Sequence, residues 1–356
     1  MSSICNNHIS NNVNNLTSYT NNTDNDTFAT IVDNLWLDHC DQLNTVRNIF
    51  LYLDRSYALQ TTGVLSIWDI GIHIFRKTLE ARRDVESKII VGLLESVEAD
   101  RMGLSIDKER LRRIIRMLKS LGLYQRFELP FLEDSKRFFE SEGQQLASQH
   151  DPALFLHHVE KRLNEAADMV ERYLQHMTKP ALIASIEMFL LGPHCTQLVE
   201  RGFDGLVEGA RVTDLKRMYT LFQRASNTSL IKIAWSDYIR RVGEALCKDV
   251  DPNREKNMIE EFLLLQDNMD VILKQAFGND DSFRFALKTA FEHAVNSRPN
   301  KPAELLARYV DRKMRGEKGV DDSAVEVILG NILLIIIYIN HLYTINREST
   351  ELVSLS

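Results

Sequence analysis

From residue 33 to residue 316 apolar side chains recur at steps of three and four, the period of a helix buried on one side. Val85, Ile89, Ile90, Leu93, Leu94 and Val97 form one stripe. Leu111, Ile114, Ile115, Leu118 and Leu121 form the next, opposite Lys108, Arg112, Arg116 and Lys119. Leu156, Val159, Leu163, Ala166, Val170 and Leu174 form a longer one, and Ile259, Phe262, Leu263, Met269, Ile272 and Leu273 another. No segment sustains the two-residue alternation of a strand. The breaks are short, and Asp151-Pro152, Lys179-Pro180, Gly192-Pro193 and Asp251-Pro252 place proline where a helix starts. A first-turn proline costs nothing, because the first amides of a helix have no internal acceptor. One-faced helices on short connections must bury themselves against their neighbours. The expected fold is all-α: antiparallel bundles stacked into an elongated, solenoid-like stalk.

Both ends depart from this pattern. Residues 1–32 are rich in Asn, Ser and Thr and poor in apolar side chains, too poor to offset the entropy of ordering, so disorder is expected there. Residues 332–339 are apolar on every side and bracketed by Asn331 and Asn340. A bilayer span needs roughly 18–20 apolar residues, so a membrane anchor is not expected, and a buried helix of a partial bundle is the nearer alternative. The Asn-rich start and the Ile/Asn/Tyr-rich finish together read as translated AT-rich non-coding sequence, foreign to the rest. A net charge of −7 gives no global attraction to nucleic acid or an anionic membrane. Cys5, Cys40, Cys195 and Cys247 are far apart and form no C-x-x-C pair, which points to reduced thiols in the cytoplasm or nucleus. Sequons at Asn15, Asn21 and Asn25 follow no signal peptide and are expected to be silent.

The string Arg298-Pro299-Asn300-Lys301-Pro302-Ala303-Glu304-Leu305-Leu306-Ala307 opens an amphipathic helix through Tyr309, Val310 and Met314 to Gly316. It resembles the end of the amino-terminal domain of cullins, the scaffolds of multi-subunit ubiquitin ligases. Four more blocks carry the resemblance in order. They are Leu35-Trp36-Leu37-Asp38-His39-Cys40 with Ile49-Phe50-Leu51-Tyr52-Leu53-Asp54-Arg55-Ser56-Tyr57, then Ser66-Ile67-Trp68-Asp69-Ile70-Gly71. Phe131-Leu132-Glu133 with Glu142-Gly143-Gln144 follows, and then Lys179-Pro180 with Leu182-Ile183. The first two look like the cullin-4 branch. The resemblance covers about 35–319 and implies five-helix cullin repeats. Residues 33–62 look like the last helix of repeat one, 63–183 like repeat two and 184–318 like repeat three. On that reading repeat one is incomplete, 319–356 is a non-family hydrophobic tail, and the carboxy-terminal cullin homology domain is missing. That domain carries the RING subunit site and the lysine that accepts a ubiquitin-like modifier.

Trp36, His39 and Leu43 fall on one face of the first matched helix. The resemblance implies that this helix meets the β-propeller adaptor of cullin-4 ligases, with Trp36 as an anchor that has lost its burying neighbours. The competing reading is that Trp36 packs on its own bundle. Ile49, Phe50, Leu53 and Tyr57 are expected to pack on repeat two, while Leu43 and Val46 lose their partners. Other candidates weigh towards structure. Arg110, Arg112, Arg113, Arg116 and Lys119 read as a solvated face. His157, His158 and Glu160 lack a third well-spaced ligand. His194 and Cys195 are adjacent, hence point apart on a helix, and do not make a catalytic pair. There is no phosphate loop, G-x-S-x-G or H-E-x-x-H. The chain is expected to be a non-catalytic scaffold of a cullin-RING ligase, without cofactor or metal and unable to transfer ubiquitin by itself. The alternatives are a helical module that sequesters the adaptor and, further off, a tail-anchored stalk.

Overall fold

A computed structural model describes residues 16, 19–20, 23–58, 61, 63–149, 151–248, 252–297 and 301–316, and among them every regular element is helical. They divide into two units, Met1–Ser141 with Lys161–Ile186, and Glu142–Glu160 with Glu187–Ser356.

The first unit is built on α1 (Asn25–Ile49), which lies against α2 (Ile67–Glu80), α3 (Arg83–Arg101) and α4 (Lys108–Ser120). The starts of α1, α2 and α4 are each set by a side chain that takes an orphan amide. Asp24 accepts from the Thr27 amide at 3.1 Å, Ser66 from Asp69 at 3.1 Å, and Asp107 from Arg110 at 2.9 Å. Each stop after α3 and α4 uses a glycine in the left-handed region, Gly103 at φ +76° and Gly122 at φ +67°, which side-chain-bearing residues avoid. α5 (Tyr124–Gln149) and α6 (Pro152–Arg172) follow, then a short turn and α7 (Lys179–Ser185). Pro130 lies inside α5, the exception to prolines at helix starts.

The apolar stripes are buried as their period requires. Val85, Ile89, Leu93 and Val97 line α3, and Leu111, Ile114, Ile115 and Leu118 line α4, with Leu121 just beyond. Ile90 and Leu94 sit half-buried at the edge.

Two expectations at the amino-terminal end are corrected. The disorder expected over 1–32 does not extend through it: α1 begins at Asn25, and Phe28 and Val32 are 1% and 2% exposed. They stand eight and four residues ahead of Trp36 and prolong the same buried stripe, so a few well-spaced apolar residues suffice where composition alone argued otherwise. Leu16 is buried as well. The second correction is at the other end of α1. Leu43 keeps its partner, because Gly71 of α2 has no side chain and Leu43 fills the space where a Cβ would stand. Ile49 and Leu53 are instead 71% and 54% exposed. The buried stripe runs 28, 32, 36, 39, 43 and Ile49 falls off it; beyond Leu53 the chain enters a π-turn at Asp54–Ala58.

The second unit holds α8 (Cys195–Glu208), α9 (Val212–Arg224), α10 (Thr228–Lys248), α11 (Pro252–Gln275), α12 (Asp281–Val295) and α13 (Lys301–Gly316). α10 is central and lies on α8, α9, α11 and α12. Its closest approach is to α12: a Cβ at Gly243 would stand 2.6 Å from Cβ of Ala294. Ile259, Phe262, Leu263, Met269, Ile272 and Leu273 are all buried, and Leu305, Leu306 and Tyr309 bury the face of α13. The expected tail, 319–356 with its 332–339 run, lies outside the described residues, as do 1–15.

Candidate functional site

α1 carries the three residues singled out by sequence, and the fold turns all three inward. Trp36 is 8% exposed and meets Phe75 of α2 edge-on, with ring centroids 5.2 Å apart. His39 lies 4.9 Å from the same ring and 5.9 Å from Trp36, so the three make one aromatic cluster. Leu43 covers Gly71 one turn further on. The expectation that Trp36 has lost the neighbours that bury it is therefore overturned: Phe75 supplies them, and the helix extends upstream of the tryptophan instead of starting there.

Their burial fixes the roll of α1 and decides what it shows to solvent. Asn34, Leu37, Asp38, Asp41 and Thr45 are exposed, with Leu37 at 41% the apolar member. Past them come Ile49, Tyr52 and Leu53. Asp54 anchors this end. It is 1% exposed, one carboxylate oxygen accepts the Ile67 amide at the start of α2 at 2.9 Å, and the other accepts Nε of Arg47 at 3.2 Å. An acid directly after the Leu51-Tyr52-Leu53 run was the sequence signal for this corner, and the stripe reading passed over it.

The basic run on α4 is not wholly a solvated face. Arg113 grips the buried Asp33 of α1 through two nitrogens, at 3.0 and 2.6 Å. That pairing, led by the Asp33 hydrogen bond, raises the guanidinium pKa further. Arg110 donates to Asp26 and, at 2.7 Å, to Thr30. Arg112 pairs with Glu109 of its own helix, while Arg116 and Lys119 face solvent. Two of the five, Arg110 and Arg113, thus hold α1 in place.

The remaining candidates are structural. His158 lies 3.2 Å from Glu142, Glu160 accepts from Arg217 at 2.7 Å, and His157 is exposed. Among the described residues no three His, Cys, Asp or Glu side chains cluster as metal ligands would. Cys195 is buried, and burial pushes its thiol up to about 11, away from the thiolate that nucleophilic chemistry needs. Its sulfur faces Leu191 O and the Asn227 amide, each at 3.5 Å, while burial lowers the pKa of His194 beside Phe155.

Comparison with known proteins agrees with this all-helical architecture. The family model for the cullin alpha solenoid domain matches residues 1–341. Cullin-4A of Homo sapiens is 38% identical over 316 residues, 88% of this chain and 41% of that protein. Cullin-4 of Dictyostelium discoideum is 34% identical over 314 residues, covering 88% and 39%, and Cullin-3A of Arabidopsis thaliana 31% over 313 residues, covering 85% and 42%. The chain therefore spans about two-fifths of the length of these relatives. The matched range includes the Asn-rich start and the 332–339 run. With helical stripes, ordered blocks and this match in agreement, the chain belongs to the cullin family.

Proposed function

We propose that this chain is a non-catalytic scaffold of a cullin-RING ubiquitin ligase and serves its substrate-receptor side. The observation that carries the reading is the cullin solenoid match over residues 1–341, strongest towards cullin-4 relatives. That stretch is the helical stalk of the family. The RING subunit and the modifier-accepting lysine are accordingly assigned to no residue here.

The partner proposed for α1 is the β-propeller adaptor implied by the cullin-4 resemblance. Contact falls to the outward face, with Leu37 as its apolar point and Asp38 and Asp41 beside it. Trp36, His39 and Leu43 act from behind as positioning residues, because their side chains are spent on α2. The free thiols Cys40 and Cys195 support a reducing compartment, cytoplasm or nucleus.

The test is retention of the purified chain on an immobilised β-propeller adaptor. Leu37→Arg should reduce retention at least about tenfold while leaving the unfolding temperature in place, since an interfacial apolar contact is lost and a surface charge gained. Trp36→Ala should reduce retention and stability together. Retention unchanged by Leu37→Arg would remove the adaptor from this face. Ubiquitin chains formed with a RING subunit and no full-length cullin would overturn the receptor-side assignment.

A further inference from the structure

The main chain leading into α1 converges on a single cation. Nζ of Lys88, on α3, donates to the carbonyl oxygens of Thr20 at 2.6 Å, Thr23 at 2.7 Å and Tyr19 at 3.2 Å. The same ammonium stands 4.8 Å from the centroid of the Phe28 ring. A lysine ammonium has three N–H donors and no acceptor, so these carbonyls use its full capacity, and the negative face of the ring lies against the same charge. No neutral side chain of this length offers three donors.

The neighbouring contacts of the same stretch are polar too. Nδ2 of Asn25 donates to Glu95 at 2.6 Å, and Arg110 holds Asp26 and Thr30. Between these contacts α1, α3 and α4 leave a cleft of about 480 Å³, lined by Ala29, Leu93 and Leu111 together with Asp26, Ser96 and Arg110. The beginning of α1 is thus clasped by polar and charged contacts. Further along, Trp36, His39 and Leu43 seat the same helix by close packing.

We infer that Lys88 is a charge-operated latch: its ammonium fixes the lead-in and the first turns of α1 onto α3, and removing that charge frees them while the Trp36–Leu43 part stays seated. This stands whether or not the outward face of α1 meets an adaptor. The consequence is a helix with one detachable end, whose release would uncover Leu16 and Phe28, now 3% and 1% exposed.

Hydrogen–deuterium exchange of the full chain, read by mass spectrometry, tests it. Lys88→Met keeps the length of the stem and removes the charge. Amides of residues 25–33 should then exchange about tenfold faster, the loss expected for charge-assisted hydrogen bonds, with residues 36–46 unchanged. Lys88→Arg, which keeps a cation, should exchange more slowly at 25–33 than Lys88→Met. Unchanged exchange at 25–33 in Lys88→Met overturns the latch. Equal acceleration at 36–46 overturns it in favour of general stability, and equal behaviour of the Arg and Met variants overturns the role of charge.

Discussion

In the second unit Trp235 of α10 is fully buried, edge-on to Phe277 at 5.2 Å, and Phe277 lies 4.6 Å from Phe283. Its one polar atom, Nε1, donates to the Phe283 carbonyl at 3.3 Å. In the first unit a position almost as deep is held by Arg101, 6% exposed, with its guanidinium 5.2–5.6 Å from the centroids of Phe131, Phe138 and Phe139. It donates to Ser135 and, at 3.2 Å, to Asp134. Both are aromatic cores, one closed by an indole and one by a cation. An apolar plug stabilises by area and fit and is indifferent to what its neighbours ionise. A buried cation must keep its rings and acceptors, because desolvation works against it; burial does lower the Arg101 pKa, with Asp134 opposing.

The comparison breaks most openly at the indole. Trp235→Ala should cost about 3–5 kcal/mol, the range for deleting a fully buried large aromatic, and should lower the urea midpoint of the second unit. A cost under about 1.5 kcal/mol would mean that the aromatic plug is not what closes this core.

Arg101 sharpens the contrast with a smaller effect that depends on chemistry. Arg101→Ala removes stem and charge together and should cost about 2–4 kcal/mol, read from the unfolding midpoint of the first unit. Arg101→Met keeps most of the stem over the Phe rings and should recover half or more of that loss, since a buried charge replaced by an apolar group of similar shape is often nearly neutral. If the methionine variant were as weak as the alanine one, the rings would be holding the charge itself and not the stem.

Close helix approach gives the next effect. Gly71→Ala would place a Cβ 2.2 Å from Cδ2 of Leu43, a distance real side chains do not tolerate. Leu43 must turn aside in a filled space, at a cost of about 1–2 kcal/mol by thermal unfolding, and α1 should lose protection around Leu43. A silent substitution would show that α1 is free to shift on α2, and that Trp36 and His39 do not fix its roll.

The reach of the sequence differs between these places for physical reasons. Helical class and buried faces were legible because one-sided burial imprints a period: Leu111, Ile114, Ile115, Leu118 and Leu121 are all inside, as spaced. The face of α1 was legible too, but its direction was not, since a stripe says which residues share a side and not what covers them. Phe75 lies far along the chain from Trp36, and a reading without tertiary contacts left the tryptophan bare. Polarity misled in the same way. Asp33, Asp54 and Arg101 are charged and buried because each finds a partner from another turn or helix, Arg113, the Ile67 amide and Ser135 respectively. Lys88 finds three in a segment whose composition reads as disorder.

The smallest effect separates the two units by pH. Asp280 caps α12, accepting the Ser282 amide at 2.8 Å, the Ser282 hydroxyl at 2.7 Å and the Tyr219 hydroxyl at 3.0 Å. These bonds, led by Ser282, hold its pKa below the ordinary carboxylate value. A depressed folded pKa contributes stability that is present above the unfolded value, about 3.9, and is lost as pH falls through the folded one. Asp280→Asn should therefore lower the melting temperature of the second unit by a few degrees at about pH 7, and the gap to the parent should narrow as pH falls below the ordinary carboxylate value of about 3.9. Trp235→Ala should keep its full deficit across the same range, because nothing in the indole cluster titrates there. A gap at Asp280 that persisted in acid would mean that the cap acts by shape alone, and that the second unit is as insensitive to charge at its helix ends as in its core.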